Sequence, residues 1–132
     1  MTIKKHLLLF AVAFIGWLVF FVLGYKSNYY TDWSIESLML FCFIIVFGMI
    51  PVISTVLIIL LGENYIRNSI WVAFYGSVVL FIFDFLVVGI IQGYGISFLT
   101  SHWLLSFGYL IFWISPFFGY VLKRFKESLQ TI

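Results

Sequence analysis

Apolar positions in this chain neither alternate with polar ones nor recur every third or fourth residue; they run on without a break. Four such runs cover roughly residues 7–25, 38–61, 70–91 and 98–122. Each is close to or above the roughly 20 residues that an α-helix needs to cross the hydrocarbon core of a bilayer. Membrane strands would instead alternate apolar and polar residues in segments of about ten. The pattern therefore predicts an all-α membrane protein, a four-transmembrane-helix bundle built as one unit over residues 1–132.

Polarity is confined to the connectors. The first, Lys26 to Ser37, closes on Thr31, Asp32, Trp33, Ser34, Ile35 and Glu36. Asp32 or Ser34 is placed to cap the second helix, and Glu36 to sit at its positive N-terminal end. Gly62, Glu63 and Asn64 read as a helix stop, and Gln92, Gly93, Tyr94 and Gly95 as a tight turn before the fourth helix. Lys4, Lys5 and His6 ahead of the first run have the look of a secretory signal. The run is longer than the about 7–15 residues of such a segment, and Lys26, Ser27, Asn28 and Tyr29 carry no small-residue cleavage pattern. The first run is expected to stay as a helix.

Charge orients the bundle. Lys4 and Lys5 precede the first run, Arg67 separates the second from the third, and Lys123, Arg124 and Lys126 follow the fourth; Lys26 alone falls at the other end. By the positive-inside rule, both termini are expected on the cytoplasmic side, N-in and C-in. Tyr25, Tyr29, Tyr30, Trp33, Tyr65, Trp71, Tyr94, Trp103 and Tyr120 fall near the expected interfaces, where aromatic belts form. Short loops and a basic bias suit a bacterial inner membrane.

Composition agrees with the runs. Of 132 residues, 64% are hydrophobic and 9% charged, against about 45–50% and 25% in soluble domains. A soluble fold of this length leaves too much of its area in water to hide that many apolar side chains. The net charge of +2 comes without a basic stripe, so no nucleic-acid partner is expected. The single cysteine, Cys42, excludes an internal disulfide and a thiol relay; it reads as a small hydrophobe.

Asp84 is the one ionisable side chain well inside a run. A carboxylate there costs about 2.5–3.5 kcal/mol on insertion scales. At 1.5 Å per residue it lies about 5 Å from the midplane, on the outer side. Ala73, Gly76, Ser77 and Leu80 precede it on the same helical face, and Val87, Val88, Ile91 and Gln92 follow. Small and polar residues on a membrane helix admit a close neighbour and bond to it, so this face is expected to point inward. On the antiparallel fourth helix, Ser106 and Tyr109 lie near the same depth and His102 about a turn higher, sharing one face. The expected site is thus Asp84 with Ser77, Ser106, Tyr109 and His102. It would bind a proton or cation on a transport path, dock a partner subunit, or fix the packing.

Pro51, between Gly48 and the pair Ser54 and Thr55, predicts a kink in the second helix; Pro116, between Ser115 and Gly119, predicts one in the fourth. Serine and threonine hydroxyls can satisfy the carbonyls that a proline frees. Broken helices at similar depth build transporter sites, and they also occur in passive bundles. His6 and His102 fall at opposite faces, too far apart to share a metal or haem. A nucleophile elbow, a paired-carboxylate site, a phosphate loop and metal-ligand spacings are missing. Asp32, Glu36, Glu63 and Glu127 fall in connectors or tails. The expectation is a protein without enzymatic activity, cofactor or metal. Its partners would be the lipid bilayer and either other membrane subunits or further copies of itself. The function expected first is that of an accessory or assembly subunit of a larger membrane complex. The alternative is a small oligomeric proton- or cation-coupled transporter or channel.

Overall fold

Backbone amides in hydrocarbon have no water to bond, so an apolar run satisfies itself by coiling into a helix. The computed structural model describes residues 2–25 and 30–131. Among these residues four helices are long and apolar enough to cross a membrane: α1 (Ile3–Tyr25), α2 (Ile35–Leu60), α3 (Tyr65–Ile91) and α4 (Trp103–Gln130). No strand occurs among them. Lys26, Ser27, Asn28 and Tyr29, on which the opposing charge and the reading against cleavage rest, lie outside the described residues.

All four helices extend past their apolar runs, α1 back to Ile3, α2 back to Ile35, α3 back to Tyr65 and α4 on to Gln130. The added residues of α4 include Lys, Arg, Glu and Gln, which are good helix formers. Glu127 also lies 3.6 Å from Arg124, one turn away. Of the two candidate caps for α2, Ser34 acts: its hydroxyl accepts from the Ser37 amide at 3.2 Å. Gly62, at φ +116°, ends the α2 segment. Asn64 then starts α3, its side-chain oxygen accepting from the Arg67 amide.

Small residues let α3 and α4 close on each other. Gly76 lies against the Phe112 ring and Gly119 against Ser69 and the Tyr65 carbonyl, and a methyl group at either glycine would overlap its neighbour. Ser69, Val72, Ala73, Ser77, Val79 and Leu80 are buried with them. One end of the bundle is sealed by Leu9 of α1, Leu57, Ile58 and Leu61 of the α2 segment, Val72 of α3, and Phe118 and Leu122 of α4. The same end collects the basic residues. Lys126 lies over the Tyr65 ring at 5.5 Å, and Lys5 reaches Gly62.

Each helix that carries an expected feature departs from regular α geometry. In α2 the Ile45–Met49 segment widens, and the Ile50 amide donates to the Ile45 carbonyl, five residues back, just before Pro51. In α4 the Phe112–Ile114 segment tightens instead. The Ser115 amide there donates to the Phe112 carbonyl, which is the acceptor that Pro116, lacking an N–H, leaves open. At Pro116 the expected repair by a serine hydroxyl is therefore corrected: a backbone amide makes it. Ser54 and Ser115 hydrogen-bond each other at 2.9 Å, fully buried, and so join the two proline regions. Two departures carried no sequence signal. α3 widens over Phe85–Ile91, directly after Asp84. The fourth run breaks at His102 (φ −115°, ψ 59°), which sets Phe98–Ser101 apart as a short helical turn.

Candidate functional site

A carboxyl group taken out of water needs hydrogen-bond donors, and Asp84 finds two on different helices. It is 5% exposed. The Trp17 indole of α1 donates to Oδ1 at 2.9 Å, and the Tyr109 hydroxyl of α4 donates to Oδ2. The carboxyl group thus links α1, α3 and α4 at one point. Beside it is a cavity of about 60 Å³, walled by Phe20, Tyr30, Phe41 and Phe112 together with Trp17 and Tyr109. A space of that size admits a water-sized group.

Tyr30 comes to this cavity from the connector. It takes a left-handed backbone (φ 73°), uncommon for a residue other than glycine, and lies with its ring directly on Gly24, where a β-carbon would collide with it. Its hydroxyl donates to the Phe20 carbonyl at 2.6 Å, and its ring stacks on Phe41 at 5.5 Å. Burial first, and the charge of Asp84 second, push this phenol above the usual tyrosine range. The belt expectation is corrected here, since Tyr30 is 2% exposed.

Of the residues expected around Asp84, Tyr109 is the one whose hydrogen bond reaches it. Ser106 donates instead to the Leu99 carbonyl at 2.6 Å. The break at His102 explains this, because it folds the preceding turn back over the start of α4. His102 pairs its Nδ1 with the Ser101 hydroxyl at 2.8 Å and meets the Tyr94 ring edge-on at 4.8 Å. It is 2% exposed, a buried hinge residue. Ser77 lies deeper on the Asp84 face. Its hydroxyl donates to the Ala73 carbonyl at 2.8 Å and accepts from the Trp113 indole at 3.1 Å.

Trp17 was not among the expected site residues. The available signal was an indole N–H in mid-run, far from either interface, since a buried tryptophan N–H usually has a partner. Two further interior polar groups also join helices. The Asn68 amide donates to the carbonyls of Ile58 and Gly62, both at 3.2 Å, and His6 Nδ1 pairs with the Tyr75 hydroxyl at 3.0 Å. His6 packs edge-on against Trp71 at the basic end. Among the described residues no group of three His, Cys, Asp or Glu side chains is placed to hold a metal ion. The chain matches no family model, no curated protein and no solved structure.

Proposed function

We propose that this protein is an accessory or assembly subunit of a larger membrane complex, embedded with both termini on the cytoplasmic side of a bacterial inner membrane. One observation carries the reading: three sets of intramembrane polar groups, that of Asp84 among them, are spent on joining the chain's own helices. Asp84 binds Trp17 and Tyr109, Ser54 binds Ser115, and Ser77 binds Trp113. Such a bundle is a stiff scaffold with apolar outer faces. Exposed Leu40, Phe43 and Phe47 of α2, and Leu18 and Val22 of α1, offer surface to lipid or to neighbouring subunits. With Asp84 turned inward, docking would fall to these outer faces. The test is to tag the C-terminus, extract the protein from its native membrane in mild detergent and identify its companions by mass spectrometry. A stoichiometric larger partner is the expected result, and recovery alone or as a homo-oligomer would refute the reading.

A second reading makes Asp84 the proton- or cation-binding group of a small transporter. It is favoured by the cavity beside the carboxylate. In proteoliposomes it predicts an ion-dependent flux that Asp84→Asn abolishes while insertion is retained.

A further inference from the structure

α1 and α2 come together near both ends, in the cluster that holds Leu9 and Leu57 at the basic end and through Phe20 and Phe41, 5.9 Å apart, at the other. Between these contacts lies a cleft of about 270 Å³, bordered by Ala13, Gly16 and Val19 of α1 and by Met49 and Ile53 of α2. Ile15 and Val19 on its rim are exposed, so it opens sideways to the surroundings of the bundle. Its inner wall shares Phe20, Ile50, Leu80 and Phe112 with the Asp84 cavity. A lipid-soluble molecule that enters the cleft sideways is thus separated from a buried carboxylate by these side chains, which must turn aside to admit it to the Asp84 cavity.

We propose that the cleft and the Asp84 cavity together bind a membrane-soluble alkylamine, its ammonium group beside Asp84 and its chain between α1 and α2. This concerns the site of the second reading, and binding needs no transport. The chemistry selects the ligand. An ionised carboxylate has about four acceptor positions, and the two hydrogen bonds to Asp84 come from neutral donors. No cation among the described residues pairs with it. Six aromatic side chains line the cavity, and aromatic faces attract an ammonium most strongly where water is excluded. A fatty acid would be repelled by the carboxylate, and an alcohol would gain neither ion pairing nor cation–π attraction. The apolar cleft suits a hydrocarbon chain, as dry apolar cavities take up apolar ligands.

The experiment compares dodecylamine with dodecanol, titrated at neutral pH into the full chain in phosphatidylcholine nanodiscs and read by tryptophan fluorescence. Saturable binding of the amine, at least about tenfold tighter than the alcohol, is expected from charge-assisted pairing and cation–π attraction. Asp84→Asn should erase that preference. Gly16→Phe should weaken amine binding several-fold by filling the cleft, with folding retained, because a β-carbon at Gly16 meets nothing within 4 Å and the cleft of about 270 Å³ beside it has room for the ring. Equal binding of amine and alcohol, an amine preference that survives Asp84→Asn, or full affinity in Gly16→Phe would each overturn the proposal. So would the lack of saturable amine binding. If Asp84→Asn fails to fold, the amine-to-alcohol ratio of the native chain and Gly16→Phe decide.

Discussion

At the scale of single residues, the interior of this bundle is governed by the cost of an unpaired polar group. Asp84 uses Trp17 and Tyr109 together, so removing either donor leaves one carboxyl oxygen less well satisfied. Trp17→Phe and Tyr109→Phe should each lower stability by about 1–3 kcal/mol, the penalty of a lost bond to a buried group, measured as reversible unfolding in detergent. Both act on one carboxylate, so the double variant should depart from additivity by more than about 0.5 kcal/mol. Strict additivity would mean that the two bonds do not share Asp84. Ser54 and Ser115 offer the converse case. Ser54→Ala strands the partner hydroxyl and should destabilise, whereas the Ser54→Ala, Ser115→Ala pair should recover much of the loss, because two apolar partners leave nothing unsatisfied. A double variant less stable than either single one would contradict that account of the contact.

Elements pack here by close approach of backbones, and the glycines separate into those that a neighbour needs and those that it does not. At Gly119 an added β-carbon would stand 2.7 Å from the Tyr65 carbonyl oxygen, and at Gly108 it meets nothing within 4 Å. Gly119→Ala should therefore push α4 off α3 and cost about 1–3 kcal/mol, as overpacking does. Gly108→Ala should be neutral or stabilising by up to about 1 kcal/mol, because alanine surrenders less backbone freedom in a helix. Thermal unfolding of the two variants side by side checks this, and similar losses in both would show that α3 and α4 do not meet through Gly119. The irregular turns belong to the same scale. The widened segment before Pro51 and the tightened one before Pro116 are two ways around a missing N–H, and the Ser54–Ser115 bond keeps them in register.

For the whole molecule the decisive quantity is the gathering of basic residues at one end. Lys4, Lys5, Arg67, Lys123, Arg124 and Lys126 share the end sealed by Leu9, Leu57 and Leu122. Asp32 and Glu36 lie at the other, beside the start of α2. In a Cys42→Ala background, Thr2→Cys and Thr131→Cys should resist an impermeant thiol reagent in intact cells, while Asp32→Cys should react. Labelling at Thr2 and Thr131 would reverse the proposed orientation.

Run length and loop polarity already determined four helices of spanning length, because a bilayer-crossing helix must be continuous and apolar while its connectors need not be. Asp84 stood out for the same reason: one carboxylate among apolar residues has a cost that something must offset, and α3 turns it inward. Tyr109 followed from helical spacing and an antiparallel partner. Trp17 and Tyr30 did not, since periodicity orders the faces of one helix and is silent on which other helix lies opposite, and at what depth. Ser106 and His102 were misplaced because the break at His102 leaves the Leu99 carbonyl within reach of the Ser106 hydroxyl and the Ser101 hydroxyl against the His102 ring, whereas Tyr109, further along α4, still reaches Asp84. The pairing of Ser54 with Ser115, the cleft between α1 and α2 and the aromatic wall around Asp84 exist only once four helices choose their neighbours. That choice is made by packing, where Gly76 admits Phe112 and Gly119 admits Ser69, and close packing is a property of pairs of surfaces that no single run of sequence contains.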